Sequence, residues 1–323
     1  MDRPTSSFKQ FHYGLRPSKQ VERKVMIEVL HSLARVGCSI SEYAYLGFGS
    51  VYYVDFVMFH KYLFIQQMVC VEWSDTPKRM KFNKPFKFIK LKLMRLADYI
   101  SKIRPRTQYL VWLDYDWALD PDMLRDIDGC ITTLAPQSIF IVTIDARPRL
   151  PAEYPDVDAQ SEKERRRTTV RAYNEWFTKY LGRRVTDDDL EGKDVGPLFY
   201  QVVMERIRES IRIRTGLQFQ QLFHFLYADG APMLTIGGMI GTGEQLQNLA
   251  EKNILSHRFV RTGPDYLRIS VPPLTAREKY WIDSNLDKKL CLKNLAFELD
   301  DEELLDNYRI FYKEYPTYSE TLL

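Results

Sequence analysis

The amino-acid sequence predicts an α/β protein built on a mostly parallel sheet, and three patterns support this class. Four short runs are apolar at every position, which is typical of strands in a sheet covered on both faces: 43–46, 68–71, 110–113 and 139–142. A further run at 86–91, which includes two lysines, could form a fifth strand. Helical segments separate these runs, as expected where parallel strands follow one another. Four of the runs end at residues that could serve a ligand, namely Gly47, Glu72, Asp114 and Thr143.

The first helix is indicated by a four-residue repeat. Val21, Val25 and Val29 recur along residues 19–36, and Gly37 provides a stop signal. Two more helical segments follow the first two apolar runs, at 51–64 and after the cap and first-turn proline at 75–77. Each strand in this region is therefore expected to alternate with a helix.

The second half of the chain adds an antiparallel element. Residues 219–227 and 233–240 form two apolar runs joined by an Asp-Gly turn, which predicts a hairpin at the end of the parallel sheet. A helix is expected at 245–252, and a second hairpin around 263–265. Residues 151–195 are rich in charge and are expected to form a helical insertion.

Composition excludes several classes of protein. The 323 residues are 45% hydrophobic, and 46 basic and 43 acidic residues give a net charge of +3, so overall charge does not point to a polyanionic partner. The four cysteines show no C-x-x-C spacing, which argues against structural zinc and favours a reducing, cytoplasmic location. No apolar run approaches the roughly 20 residues of a membrane helix.

A cofactor site is predicted where the first strand gives way to its helix. Gly47-Phe48-Gly49-Ser50 forms a turn at which a ligand can approach the backbone closely, because glycine has no side chain. Glu72 ends the next strand, 25 residues beyond Gly47, where a carboxylate can accept hydrogen bonds from both ribose hydroxyls. Together they predict a nucleoside-cofactor site.

At this point the chain resembles the class I S-adenosylmethionine-dependent methyltransferase superfamily over about residues 40–245, with 45–50 at its glycine-rich first motif. The resemblance implies a Rossmann-like fold and S-adenosylmethionine as cofactor. Tyr45 stands where an acidic residue is common, and Val51 replaces a third glycine. Glu72 would hold the ribose, Trp73 would lie against adenine, and Asp98 would meet the adenine amine. The cofactor-binding residues so implied are Tyr45, Gly47, Phe48, Gly49, Ser50, Glu72, Trp73 and Asp98.

Asp114 and Asp116 are the predicted catalytic residues. They lie two positions apart, so on a continuing strand both would point the same way and could orient a hydroxyl group for methylation at oxygen. Two carboxylates underfill the oxygen shell of a typical metal ion, so no metal is predicted. Residues 113–116 differ from the Asn/Asp-Pro-Pro-aromatic motif of amino methyltransferases that act on bases, which disfavours base methylation.

These observations divide the chain into three parts. Residues 1–40 form an N-terminal helical segment, 41–255 a methyltransferase-like domain that contains the insertion at 151–195, and 256–323 a small C-terminal α+β region. A protein partner could bind the insertion or the aromatic tail. The lysines between 78 and 92 could contact nucleic acid, but alternating lysine and phenylalanine fits an ordinary edge strand better.

Two alternative functions remain. The altered first motif and the large insertion also suit a catalytically inactive regulatory protein on the same fold. More remotely, residues 114–119 are similar to the D-x-D-x-T motif of metal-dependent phosphatases, although Ala118 stands in place of the threonine. The sequence does not identify the substrate.

Overall fold

The structure is a computed structural model, and it describes residues 16–73, 76–150, 161–190, 195–299 and 301–316. At its centre lies a sheet whose strands are β1 (Ala44–Gly47), β2 (Gln67–Glu72), β3 (Ile89–Leu93), β4 (Tyr109–Asp114), β5 (Ile139–Asp145), β6 (Leu217–Ala228), β7 (Pro232–Thr242) and β8 (Leu267–Ile269). The order across the sheet is β3-β2-β1-β4-β5-β7-β6-β8.

Helices cover both faces of this sheet. They are α1 (Pro17–Ser32), α2 (Val54–Leu63), α3 (Pro77–Phe82), α4 (Leu96–Ile100), α5 (Pro121–Thr133), α6 (Glu162–Leu181), α7 (Gly196–Arg212), α8 (Gly243–Glu251), α9 (Ala276–Asp283) and α10 (Glu302–Phe311). Within the described residues, none of them is long and apolar enough to cross a membrane.

Strand directions confirm the predicted fold class. Strands β1 to β5 pair in parallel, whereas β7 runs antiparallel to both β5 and β6. The chain moves outward from β1 to β3, then returns to the other side of β1 with β4, so the sheet has a topological switch point between β1 and β4. Ligands of such sheets bind outside the carboxyl ends of the strands at that point.

The alternation of side chains along β1 separates two apolar layers. Tyr45 points into a core that contains residues of α1, α2 and α8, while Ala44 and Leu46 point into a core that contains residues of α4, α5, α6 and α7. A smaller cluster joins α9 to α10. The central strands are therefore buried on both faces, as their continuous apolar runs predicted.

Two predictions about strands were wrong in detail. The third strand begins at Ile89 and not at Phe86, because Phe86 and Phe88 lie before it in the loop, with ring centroids 4.5 Å and 4.8 Å from His60. No hairpin forms around 263–265 in the described chain, because the segment after this turn, β8, pairs in parallel with β6.

The charged insertion contains one long helix, α6, which packs on α7. A capping box starts α6, since the Ser161 hydroxyl accepts from the Glu164 backbone and the Glu164 side chain accepts from the Ser161 backbone. Residues 151–160 and 191–194 of the insertion, residues 1–15 of the N-terminal segment and residues 317–323 of the aromatic tail lie outside the described chain.

Candidate active site

A cavity of about 620 Å³ opens at the carboxyl ends of β1, β2 and β4. This volume lies within the range of small-molecule binding sites. Its walls come from the segments that follow four strands, together with α1, the start of α2 and α5: Arg23, Phe48, Gly49, Ser50, Tyr53, Val54, Asp55, Phe56, Val71, Glu72, Trp73, Met94, Arg95, Leu96, Ala97, Asp114, Tyr115, Asp116, Trp117, Asp122, Arg125 and Asp126. The cavity therefore occupies the switch point of the sheet.

The turn after β1 requires glycine because it packs against its neighbours. A Cβ atom at Gly49 would overlap the sulfur of Cys70 and come within 3.4 Å of the Met80 methyl group. A Cβ atom at Gly47 would lie 3.1 Å from the carbonyl oxygen of Trp112 and overlap the Tyr45 ring. The backbone of the turn can therefore lie directly on the strand ends.

Glu72 is fixed beside this turn by backbone donors. The N–H of Gly49 donates to Oε2 at 3.3 Å, and the N–H of Trp73 donates to Oε1 at 3.1 Å. Burial raises the pKa of Glu72 to about 7; the Asp116 charge adds to this rise, and the two backbone hydrogen bonds oppose it. The carboxyl group lines the cavity and changes its charge near neutral pH.

Asp114 occupies the equivalent position at the end of β4, but its partner is a cation. Nζ of Lys19 lies 2.7 Å from Asp114 Oδ1, and the Asp114 side chain keeps 18% of its surface exposed. β4 ends at Asp114, so the strand does not continue to Asp116 as the spacing argument assumed. Both carboxylates nevertheless line the same cavity.

Lys19 is the centre of a buried polar cluster beneath the cavity. Its ammonium group also lies 2.8 Å from Glu22 Oε2 and donates to the Tyr227 hydroxyl at 2.9 Å. It lies 4.4 Å from the centroid of the Trp112 ring. The side chains of both Lys19 and Glu22 are fully buried. Ammonium and carboxylate can be buried only when they are paired in this way.

Two threonines extend this cluster across the sheet. Trp112 Nε1 donates to Thr143 Oγ1 at 2.9 Å, and Thr143 Oγ1 lies 2.7 Å from Thr235 Oγ1. The Thr235 hydroxyl donates to Glu22. Strands β4, β5 and β7 are therefore connected to α1 through polar side chains.

Arg23 brings a second buried cation to the cavity. Its side chain is 1% exposed, and its Nε pairs with Asp55 at the start of α2. Within the described part of the chain, its Nη1 atom is buried and has no hydrogen-bond acceptor. Because Arg23 also lines the cavity, its guanidinium could pair with an acceptor on a bound ligand.

The structure brings most of the predicted site residues together. Phe48, Gly49, Ser50, Glu72, Trp73, Asp114 and Asp116 all line the cavity. Three predicted residues do not. Tyr45 points into the core, and its ring centroid lies 4.8 Å from that of Phe56 and 4.9 Å from that of Phe59. Gly47 is the last residue of β1, before the turn. Asp98 is exposed on α4.

Sequence reasoning missed the contribution of α1 to the site. Lys19, Glu22 and Arg23 were not among the predicted site residues, yet all three are buried. A partial signal was present, since Met26 lies four residues after Glu22 and three after Arg23, so an apolar side chain shares their side of the helix. Among the described residues, no group of three or more metal-ligating side chains comes together.

The sequence profile of one protein family, described as "Putative O-methyltransferase", matches residues 11–323. The chain belongs to this family. Membership confirms the predicted resemblance to S-adenosylmethionine-dependent methyltransferases and the prediction of a methyltransferase enzyme. A sequence comparison with curated proteins finds no match.

Solved structures of low sequence identity resemble parts of the chain. Trm1 from Pyrococcus horikoshii, in complex with S-adenosyl-L-methionine, is 11% identical with a TM-score of 0.44, and the match covers 76% of this chain and 61% of Trm1. The N-methyltransferase NodS from Bradyrhizobium japonicum WM9, bound to S-adenosyl-L-homocysteine, is 12% identical with a TM-score of 0.36, and the match covers 68% of this chain and 87% of NodS. This chain thus spans less than two thirds of Trm1.

Proposed function

We propose that this protein transfers a methyl group from S-adenosylmethionine to an oxygen atom of a substrate bound in the cavity at the switch point. The observation that carries the proposal is the placement of Glu72 and Arg23 on one cavity. One offers a hydrogen-bond acceptor and the other an unsatisfied cationic donor. These are the groups that a ribose and an amino-acid carboxylate require.

The residues of the cavity fit the cofactor part by part. Glu72 would accept from the ribose hydroxyls, and its two backbone bonds already hold it in place. The indole of Trp73, which is 59% exposed, and the side chains of Met94 and Leu96 supply apolar surface for a base. Arg23 Nη1 would donate to the carboxylate of the methionine portion. The bound cofactor supplies an electrophilic methyl group on a sulfonium.

Asp114 would act on the substrate. Its carboxylate reaches the cavity, and the Lys19 ammonium fixes one of its oxygens. It can therefore accept a hydrogen bond from a substrate hydroxyl, orient that oxygen, and take up the hydroxyl proton when the oxygen is methylated. Orientation is the main requirement of a direct displacement, since two reactants held in line react much faster than in solution. Tyr115 and Trp117 line the same side of the cavity and would limit the access of water.

Cofactor binding is tested by thermal unfolding with S-adenosylhomocysteine. Binding to the native state alone must raise the melting temperature, by the equivalent of about 2.7 kcal/mol at a ligand concentration one hundred times Kd. Glu72→Gln should remove most of this rise, whereas Glu42→Gln, at an exposed position, should retain it. The absence of any rise at millimolar ligand would contradict the proposal.

The methyl acceptor is tested once a substrate has been found. Asp114→Asn should lower kcat by about 100-fold, the usual contribution of a group that handles a proton, and should change the affinity for S-adenosylhomocysteine less than about twofold. Fragmentation of the product by mass spectrometry should locate the methyl group on oxygen. A methyl group on nitrogen or carbon would overturn this part. Absence of transfer to every substrate despite cofactor binding would favour the inactive regulatory protein.

A further inference from the structure

One stretch of the chain carries basic residues and no acidic ones. Residues 76–97 contain eight lysines and arginines, without a single aspartate or glutamate. Because the whole chain has a net charge of +3, the remaining residues together carry −5. The net charge of these 22 consecutive residues, +8, therefore exceeds that of the whole chain. We call this stretch the basic strip: Lys78, Arg79, Lys81, Lys84, Lys87, Lys90, Lys92 and Arg95.

The basic strip surrounds an open edge of the sheet. It runs through α3, the loop that follows it and β3, which is the first strand in the sheet order and pairs only with β2 within the described chain. Most of its cations are exposed, although Lys84 donates to the carbonyl oxygen of Ile89 at 2.9 Å and thereby fixes the loop. Lysines that protect an edge strand from pairing explain Lys90 and Lys92. They do not explain the cations on α3.

Both ends of the basic strip reach the candidate active site. At its end, Met94, Arg95, Leu96 and Ala97 form part of the cavity wall. Near its start, the Met80 carbonyl accepts from the hydroxyl of Tyr53 at 3.0 Å, and Tyr53 itself lines the cavity. A polyanion that lies along the strip is therefore directed to the cavity that Glu72 and Asp114 line.

Exposed aromatic side chains accompany the cations. Phe82, at the end of α3, is 89% exposed, and Trp73, on the rim of the cavity, is 59% exposed. Proteins that bind single-stranded nucleic acids combine a positive surface for phosphates with aromatic side chains on which bases stack. A membrane surface fits less well, because α3 has only six residues and cannot form an amphipathic helix of useful length.

We propose that the basic strip binds a single-stranded nucleic acid and presents one of its nucleotides to the cavity. Binding of the nucleic acid is inferred from the charge and exposed aromatic residues of the strip alone. Presentation of a nucleotide to the cavity rests on the proposed methyltransferase function. The cations contact phosphates, and Phe82 stacks on a base. A ribose 2′-hydroxyl of RNA is the oxygen such a substrate offers.

The test measures binding of fluorescent single-stranded RNA and DNA of about 20 nucleotides to the full chain by anisotropy over a range of salt concentrations. Lys78, Lys81, Lys87 and Lys90 are changed together to glutamine. The matched control changes Lys163, Arg165, Arg167 and Arg171 to glutamine as well. These residues are exposed on α6, and their replacement lowers the net charge by the same amount. The strip variant should bind about tenfold or more weakly, with a salt slope smaller by about 3, whereas the control should bind nearly as wild type.

A second pair of variants tests stacking. Phe82→Ala should weaken binding about fivefold or more, while Phe64→Ala, which removes a phenylalanine that is 69% exposed outside the strip, should not. Binding of RNA alone, or of RNA and DNA alike, supports the proposal, and preference for RNA assigns a role to the 2′-hydroxyl. Equal weakening by both four-residue variants, or no binding of either nucleic acid to the wild type, would overturn it.

Two further measurements separate the alternatives. If polyglutamate of matched charge competes as well as the oligonucleotide, or if the strip variant instead loses binding to phosphatidylserine vesicles, the partner is not a nucleic acid. The thermal shift with S-adenosylhomocysteine should be unchanged in the strip variant. If the protein binds the cofactor but no nucleic acid, only the proposed role of the basic strip is refuted. If it binds nucleic acid but not the cofactor, only the methyltransferase proposal is refuted.

Discussion

Glu72 and Asp114 are carboxylates at the ends of β2 and β4, on the two sides of β1, yet their surroundings differ. Glu72 is held by two backbone N–H groups and is raised in pKa to about 7 by burial. Asp114 pairs with the buried ammonium of Lys19. Similar positions in a sheet therefore do not give similar chemistry, because the covering elements decide which charge each carboxylate meets.

The difference suits two tasks. A carboxyl group without a cationic partner is stabilised when ligand hydroxyls donate to it, so Glu72 gains most from binding a ribose. A carboxylate already paired with a cation stays in one position, so Asp114 is suited to orienting a substrate. The helix that makes this difference is α1, which supplies Lys19 as the partner of Asp114 and Arg23 to the cavity wall.

The largest expected effect concerns the paired side. Lys19→Met removes a buried cation and leaves Glu22 and Asp114 without their common partner, which should cost about 3–5 kcal/mol of unfolding free energy. Arg125→Met, which breaks a pair with Asp122 whose side chains are 73% and 71% exposed, should cost less than about 1 kcal/mol. Urea unfolding compares the two variants. Equal, small losses would show that the Lys19 cluster is not needed for stability.

The next effect concerns the unsatisfied donor. Arg23→Gln should weaken S-adenosylhomocysteine binding by about 10- to 100-fold, the value of one charged hydrogen bond, and should hardly affect 5′-methylthioadenosine, which has no carboxylate. Arg125→Gln, on the same cavity but with a guanidinium exposed to solvent, should change neither affinity. Calorimetry measures the affinity of the wild type and of each variant for the two ligands. Equal loss for both ligands would place the carboxylate elsewhere.

A smaller effect is expected from pH on the unpaired side. Ribose hydroxyls donate to ionised Glu72, so cofactor affinity should be full above pH 7 and fall by up to about tenfold for each pH unit below it. The same titration in Glu72→Gln should be flat over this range. Dissociation constants of S-adenosylhomocysteine, measured from about pH 5.5 to about pH 8.5, test both expectations. If the affinity of the wild type also does not change with pH, Glu72 does not bind the cofactor.

The smallest effect is a gain in stability. Because the folded pKa of Glu72 is raised from 4.5 to about 7, the unliganded protein loses stability as pH rises through this interval, and the loss is complete above it. Glu72→Gln should therefore raise the melting temperature of the unliganded protein at pH 8 by about 2–4 °C, although it weakens cofactor binding. At pH 4 the difference should vanish. A lower melting temperature at pH 8 would show that the carboxylate stabilises the turn.

The fold could be predicted because strands buried on both faces show it in continuous apolar runs. The runs at 68–71 and 110–113 fall inside β2 and β4, and the residues that close them, Glu72 and Asp114, line the cavity. Tyr45 was assigned to the site because it belongs to the motif, but alternation along β1 turns its ring into the core. The motif shows where the backbone bends and not where each side chain points.

The partners of the buried charges on α1 could not be predicted, for a different reason. A periodic pattern shows which face of a helix is apolar, but a buried polar face has the same letters as a solvated one. The partners of Lys19 and Glu22 are Asp114, Tyr227 and Thr235, which lie far along the chain. Only the three-dimensional arrangement reveals that these charges are satisfied by one another.

The separation of these partners along the chain has a consequence for biosynthesis. Tyr227 is synthesised 208 residues after Lys19, and Thr235 is synthesised 213 residues after Glu22. The first helix therefore cannot complete its contacts on the nascent chain until β7 has been translated. We expect α1 to dock among the last steps of folding, so that a prematurely terminated polypeptide never assembles a functional pocket.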